Sequence, residues 1–228
     1  VTLNILGSLG LSCYILADTF FVASRLGADG LTALNLAISV FGLLNGLGMM
    51  LGIGGGARYS IFQAQGMERE ANRTFTIAFL TGAGLGLFFA LCGLFFARPL
   101  AALLGAEGHI LPMCATYLRT ALSFAPFFIL NQVMTAFVRN DGNPKLAMAA
   151  MLTGSLTNIV LDYVFLYPLD MGIFGAAFAT GVAPVVGLLL SSLHILTGRS
   201  RFRLVREPMR PRHLFSLSAL GGAAFLNE

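Results

Sequence analysis

The chain has 228 residues, 57% of them hydrophobic and 11% charged, with a mean hydropathy of +0.82 and a formal net charge of +4. A soluble globular domain carries about 25% charged residues, so this composition excludes one and specifies a protein built of apolar spans crossing a bilayer. The positive balance is confined to particular connections, as shown below, so it is not the footprint of a nucleic-acid binder.

Six full spans can be drawn in chain order, at about 1–24, 33–58, 74–97, 112–138, 145–167 and 173–197, each near the ~20 residues that cross a hydrocarbon core. A seventh starts near 213. The sequence begins in one apolar run and stops in another, which reads as part of a longer polypeptide. No basic segment followed by a small-residue cleavage site marks a signal peptide. Residues 1–197 are expected to form one six-helix unit, 198–212 a basic loop, and 213–228 the start of a further helix. Cys13, Cys92 and Cys114 all fall inside apolar runs and read as small core residues, since no CxxC spacing supports a disulfide or metal framework.

Connections after spans two, four and six carry Arg69, Arg73, Arg139, Lys145, Arg199, Arg201, Arg203, Arg206, Arg210 and Arg212; those after spans one, three and five carry only Arg25 and Arg98. The positive-inside rule places the first set, and the N-terminus, in the cytoplasm. The basic loop is a topogenic linker that also suits anionic lipid headgroups. Within the spans, Asn143-Pro144 reads as an N-cap followed by proline at the first helical position. Pro126 and Pro184 are expected to kink spans four and six. Gly48, Gly52 and Gly56 recur every four residues, a spacing that lets helix backbones approach closely in lipid. LGADG (26–30) and LGAEG (104–108) echo each other, either as a repeat or as a helix-ending habit.

Acids within a membrane are rare, costly and usually functional. Two lie clearly inside spans: Asp18, about six residues from the outer end of span one, and Asp162, about five from the outer end of span five, both roughly 8–9 Å below that end at 1.5 Å per residue. Asn158 precedes Asp162 by four residues on the same helix face, and Tyr14 precedes Asp18 likewise. Thr180 enters span six to a similar depth, and Tyr117 lies five residues into span four. Asp18, Asp162, Asn158 and Thr180, with Tyr14 and Tyr117 nearby, are therefore expected to converge. Low dielectric disfavours the charged form of a carboxyl, and a second carboxylate close by disfavours it further; the pair would exchange protons. The same oxygens are hard ligands for Na⁺, and the residues do not choose between the two ions. The bland alternatives are a salt bridge from either aspartate to Arg119 and plain packing for Tyr14 and Tyr117. Asn131 and Gln132, deeper on span four, line a path or bond a neighbouring helix. No nucleophile–base pair or metal-ligand set points to an enzyme, and no cofactor is implied.

Five stretches carry a resemblance: LADTFFVASRLGADGLTALN (16–35), GLGMMLGIGGGARYS (46–60), VRNDGNPKLAM (138–148), SLTNIVLDYVFLY (155–167) and GIFGAAFAT (172–180). Together, in order and spacing, they resemble the N-terminal lobe of a MATE (multidrug and toxic compound extrusion) transporter of the DinF-like prokaryotic branch. The resemblance implies an all-α fold of twelve helices in two six-helix lobes, of which this chain supplies one lobe and the start of helix seven. It implies efflux of small amphiphilic, often cationic compounds across the prokaryotic inner membrane by alternating access, driven by H⁺ or Na⁺. It also implies a coupling-ion site at Asp18, Asp162, Asn158 and Thr180, the residues already grouped by depth. The second lobe of the same polypeptide and membrane lipid would be its partners. Two features depart from the family: Tyr163 stands where some relatives have proline after the helix-five aspartate, and LGGAAFLNE replaces a Gly-x-Pro element at helix seven. A flippase for lipid-linked precursors, or a polysaccharide exporter of the same superfamily, is the alternative. Its cavity would carry cations, whereas the intramembrane charges here are mostly acidic.

Overall fold

The computed structural model describes residues 2–198 and 200–205, with side chains from Ile15 onward. All the described secondary structure is helical: α1 (Thr2–Ala64), α2 (Glu68–Leu103), α3 (Ile110–Ser123), α4 (Ala125–Asn140), α5 (Pro144–Leu166) and α6 (Gly172–Leu196). Four helices are long and apolar enough to cross a membrane, and the α3–α4 pair, bent by 47°, makes a fifth candidate span.

α1 contains two spans. Its first arm ends beside α5's C-terminus, where Arg25 meets Asp170, and its second arm ends at the opposite end of α5, where Tyr59 meets Asp141. The chain therefore reverses between them. The break is at Gly27, with φ 68° and ψ −157°, a backbone that side chains with a Cβ rarely adopt. With α1 counted as two and α3–α4 as one, the six expected spans are all present. Gly105 also has positive φ, so the two echoed segments share a glycine that turns the chain after its leucine.

Some boundaries differ from the expectation. α2 continues through Pro99 to Leu103, with its irregularity at Phe96, where a connection had been expected from Ala97 onward. Proline near the end of a helix leaves few internal bonds to lose. Span four is broken outright: Phe124 leaves helical geometry and Pro126 starts α4. Pro184 lies within α6, and the helix continues through it. The Asn143 side chain accepts from Leu146 N at 3.2 Å and caps α5 as expected.

Interfaces are built on small residues, because in lipid close van der Waals packing replaces the hydrophobic drive between helices. Gly48, Gly52 and Gly56 of α1 lie against Gln132, Ala136 and Asn140 of α4. Gly86 of α2 lies against the backbone of Pro126, so a Cβ there would penetrate Pro126 Cα, whereas Gly84 on the same helix faces open space. Gly86→Leu is expected to lower stability in detergent by about 1–3 kcal/mol or more through overpacking, and Gly84→Leu to be nearly neutral. Equal thermal midpoints for the two would show that this approach does not matter.

The segment after α6 is docked on the end of the bundle that carries most of the cations. Phe202 is fully buried, its ring centroid 4.4 Å from Phe75 and 5.9 Å from Tyr59 and Phe137. Backbone N–H groups of Arg201, Arg203 and Val205 donate to Asp141, Asn72 and Thr76 at 2.9, 2.7 and 3.0 Å. The first part of the expected 198–212 loop is thus fastened to the helices. Residues 213–228, including the expected start of helix seven, lie outside the described residues.

Candidate functional site

Asp18 projects from the first arm of α1, and Asn158 and Asp162 from successive turns of α5. All three are buried, at 7%, 1% and 0% exposure. The two carboxyl groups interact directly across the α1–α5 interface. Among the described residues, Asp18 Oδ1, both oxygens of Asp162 and both amide atoms of Asn158 have no hydrogen-bond partner. Two carboxylates cannot donate to each other. A proton on one makes it the donor to the other, and a cation between them would be shared by both. Either satisfies groups whose burial is otherwise costly. The donor set of carboxylate and amide oxygens fits a hard cation such as Na⁺.

Two close approaches fix the register of antiparallel α5 and α6: Gly154 against the Ala183 carbonyl and Gly175 against Phe165. Asn158, one turn past Gly154, is then level with Thr180. Thr180 is half-buried and its hydroxyl donates to Ala176 O at 3.0 Å, which leaves its oxygen lone pairs as the group it can offer.

Beyond the carboxyls, α1 is pinned to the end of α5. Arg25 donates to Leu166 O and to Asp170 at 3.2 and 2.9 Å, Tyr167 donates to Ser24 at 3.1 Å, and Phe21 packs edge-on against Tyr167. Leu166 is one turn beyond Asp162 and Arg25 two turns beyond Asp18, so these contacts hold the two carboxyl-bearing turns together. Tyr163, in the position where some family members have proline, stacks on Tyr167.

The remaining expectations divide. Tyr117 is buried in the core, its ring 5.9 Å from Phe41. Gln132 donates to Asn45 at 3.1 Å and packs over Gly48, so it bonds a neighbouring helix. Asn131 reaches Gly187 of α6. Arg119 is exposed, and among the described residues no ion pair joins it to either aspartate. Tyr14 falls among residues whose side chains are outside the described set.

Sequence reasoning missed a second buried polar cluster at the basic end. Asp141, with its side chain 2% exposed, accepts from Tyr59 Oη at 2.6 Å, from His194 Nε2 at 2.9 Å and from Arg201 N. Asn143 Oδ1 is committed to the α5 cap, so its Nδ2 faces His194 Nδ1 at 3.4 Å. That orientation makes Nδ1 the acceptor and assigns the proton of a neutral imidazole to Nε2. A histidine in an apolar span five residues before a run of arginines was the available signal; its partner, in the turn RNDGNPK, looked like a solvated loop acid.

A family model described as MatE matches residues 4–164. The multidrug export protein MepA of Staphylococcus saprophyticus is 30% identical over 97% of this chain and 49% of its own length. A multidrug resistance MATE family transporter of the MOP superfamily in an outward-facing conformation superposes with a TM-score of 0.87 at 27% identity, over 97% of this chain and 49% of that one. An inward-facing conformation of such a transporter gives 0.86 at 28% identity, over 93% and 49%. The chain spans about half the length of the curated relatives it matches.

Proposed function

The chain belongs to the MatE family, and from that membership we propose that it is the N-terminal lobe of a secondary active multidrug exporter in which Asp18 and Asp162 bind the coupling ion, H⁺ or Na⁺. One observation carries the reading: two buried carboxyls from different helices meet at one depth, with an amide beside them and, among the described residues, no hydrogen-bond partner for three of their four oxygens. Ion binding cancels one of the two charges and joins the carboxyls. Its loss leaves two like charges facing each other in low dielectric, which drives the first arm of α1 away from α5. Outward- and inward-facing forms among similar structures support alternating access. The acids favour amphiphilic cations as substrates, with Asn158 and Thr180 supplying neutral oxygens. The described cations gathered at one end, among them Arg69, Arg73, Arg139, Lys145, Arg201 and Arg203, support a cytoplasmic position for that end in a prokaryotic inner membrane.

The test uses the full-length polypeptide, with its second lobe, in proteoliposomes. Efflux of a fluorescent cation is followed under an imposed pH gradient and, separately, under an imposed Na⁺ gradient. Efflux under one of them is expected and names the ion. Efflux indifferent to both gradients would remove the coupling role.

A further inference from the structure

α4 and α6 lie side by side and run in the same direction. Phe124 meets Gly181, Asn131 meets Gly187 and Asp141 meets His194. Thr135 and Ser191, each one turn beyond the Asn131–Gly187 contact, are therefore level with each other. They are buried, at 3% and 0%, and neither hydroxyl has a hydrogen-bond partner. Several helical hydroxyls in this chain donate to the carbonyl four residues back, as Thr120, Ser123, Ser192 and Thr197 do, although Thr81 of α2 does not. Thr135 and Ser191 depart from that habit where burial is deepest. Asn131 Oδ1 is likewise unpartnered among the described residues, and the Asn131 amide packs directly over Gly187.

The same row extends toward the carboxyl pair. Pro184 has no N–H, so the Thr180 carbonyl lacks its helical donor. Thr180 is level with Asn158, whose amide is unpartnered, and Asn158 shares a face with Asp162. The longest step, from Thr180 to Asn131 beside Gly187, covers two turns of α6, about 10 Å; Gly154, Ala183 and Pro184 are the small residues there. Each buried polar group left unmade costs stability, and a row of them at one interface is maintained where water bridges them.

We propose that this row is a proton path within the lobe. Its hydroxyls, amide groups and carbonyl, bridged by water, connect the Asp18–Asp162 pair to the Asp141–His194 pair at the basic end. The inference rests on the coupling role proposed for the aspartates. A proton leaving Asp162 passes to water and along the row, the hydroxyls and bridging waters each accepting one proton as they give up another while the carbonyl and amide groups hold those waters by hydrogen bonds. It reaches His194 at one ring nitrogen and leaves from the other. Asp141, Tyr59 and Arg201 are the other titratable or charged residues bonded within that cluster. A sodium ion would need several oxygen ligands at every station, and these stations offer one or two.

The decisive variant is Thr135→Val with Ser191→Ala, which removes both hydroxyls at nearly constant volume in the full-length protein. Proton-driven efflux is expected to slow by about tenfold, equivalent to ~1.4 kcal/mol of barrier. The thermal midpoint and binding of the fluorescent cation in detergent should stay as they are. Efflux at the unmodified rate would overturn the path. If the double variant unfolds, each single substitution is read in the same assay, and two unaltered rates overturn it equally. Unmodified protein driven by Na⁺ alone would also overturn the path while leaving the coupling site standing. Failure of the coupling site itself is read separately, by Asp162→Asn exporting as the unmodified protein does.

Discussion

Asp162→Asn is expected to reduce ion-driven efflux to background in the full-length protein while leaving membrane insertion intact and the thermal midpoint unchanged or raised. The two effects separate because of what surrounds the side chain. Asp162 is fully buried, and neither of its oxygens accepts a hydrogen bond from the protein, so asparagine breaks no described bond. It removes a charge whose burial beside Asp18 is unfavourable. A residue kept for structure would behave in the opposite way: truncating one member of a satisfied buried pair destabilises. Asp18→Asn should give the same phenotype, and the double variant should be no worse than either single one, since both remove the same bound ion. Export assayed in proteoliposomes beside melting in detergent checks all three. Export at the unmodified rate with a lowered midpoint would make Asp162 structural.

Much of this site was legible because the membrane imposes simple rules. A bilayer fixes span length, so counting residues from a span end gives depth, and two acids at matched depth stand out against a sequence with only ten Asp and Glu residues in all. The same one-dimensional logic located Asn143 as a cap, Pro126 as an irregularity in span four and the glycine row as a face of close helix approach. Depth does not give azimuth. It could not tell that Tyr117 turns into the core beside Phe41 or that Gln132 turns to Asn45, because that depends on how each helix is rotated against its neighbours. Nor could local patterns reveal Asp141 as buried. Its donors come from Tyr59, His194 and Arg201, as many as 82 residues away along the chain. What covers it is a segment after α6 whose arginines mark it as a solvated linker. There the arginine side chains do face outward, while the backbone N–H groups and Phe202 between them turn in.

Asp141→Ala should therefore be among the most destabilising single changes at the basic end. Alanine leaves the Tyr59 hydroxyl, the His194 Nε2–H and the Arg201 N–H without their acceptor, and an unmet buried donor costs about 1–3 kcal/mol. Water reaching the cluster from the nearby surface offsets part of that, so a loss of roughly 3–5 kcal/mol is expected, the range for breaking one side of a buried charged network. The loss should appear first in the docked segment, because Arg201 N gives up its anchor and the segment is then held by the Phe202 ring contacts and the Arg203 and Val205 N–H bonds. Trypsin provides the readout. Arg201 and Arg203 are exposed yet lie in backbone bonded to the bundle, so cleavage there reports undocking. Cleavage should accelerate in Asp141→Ala together with a lower midpoint. Phe202→Ala should give comparable acceleration by another route, since deleting a buried phenylalanine costs about 3–5 kcal/mol, while sparing the Tyr59–Asp141–His194 bonds. Asp141→Asn falls between, because its one carbonyl oxygen can still accept although its amide nitrogen now faces a donor. If Asp141→Ala melts and resists trypsin like the unmodified protein, the cluster does not hold the segment, and Phe202 packing alone accounts for its position.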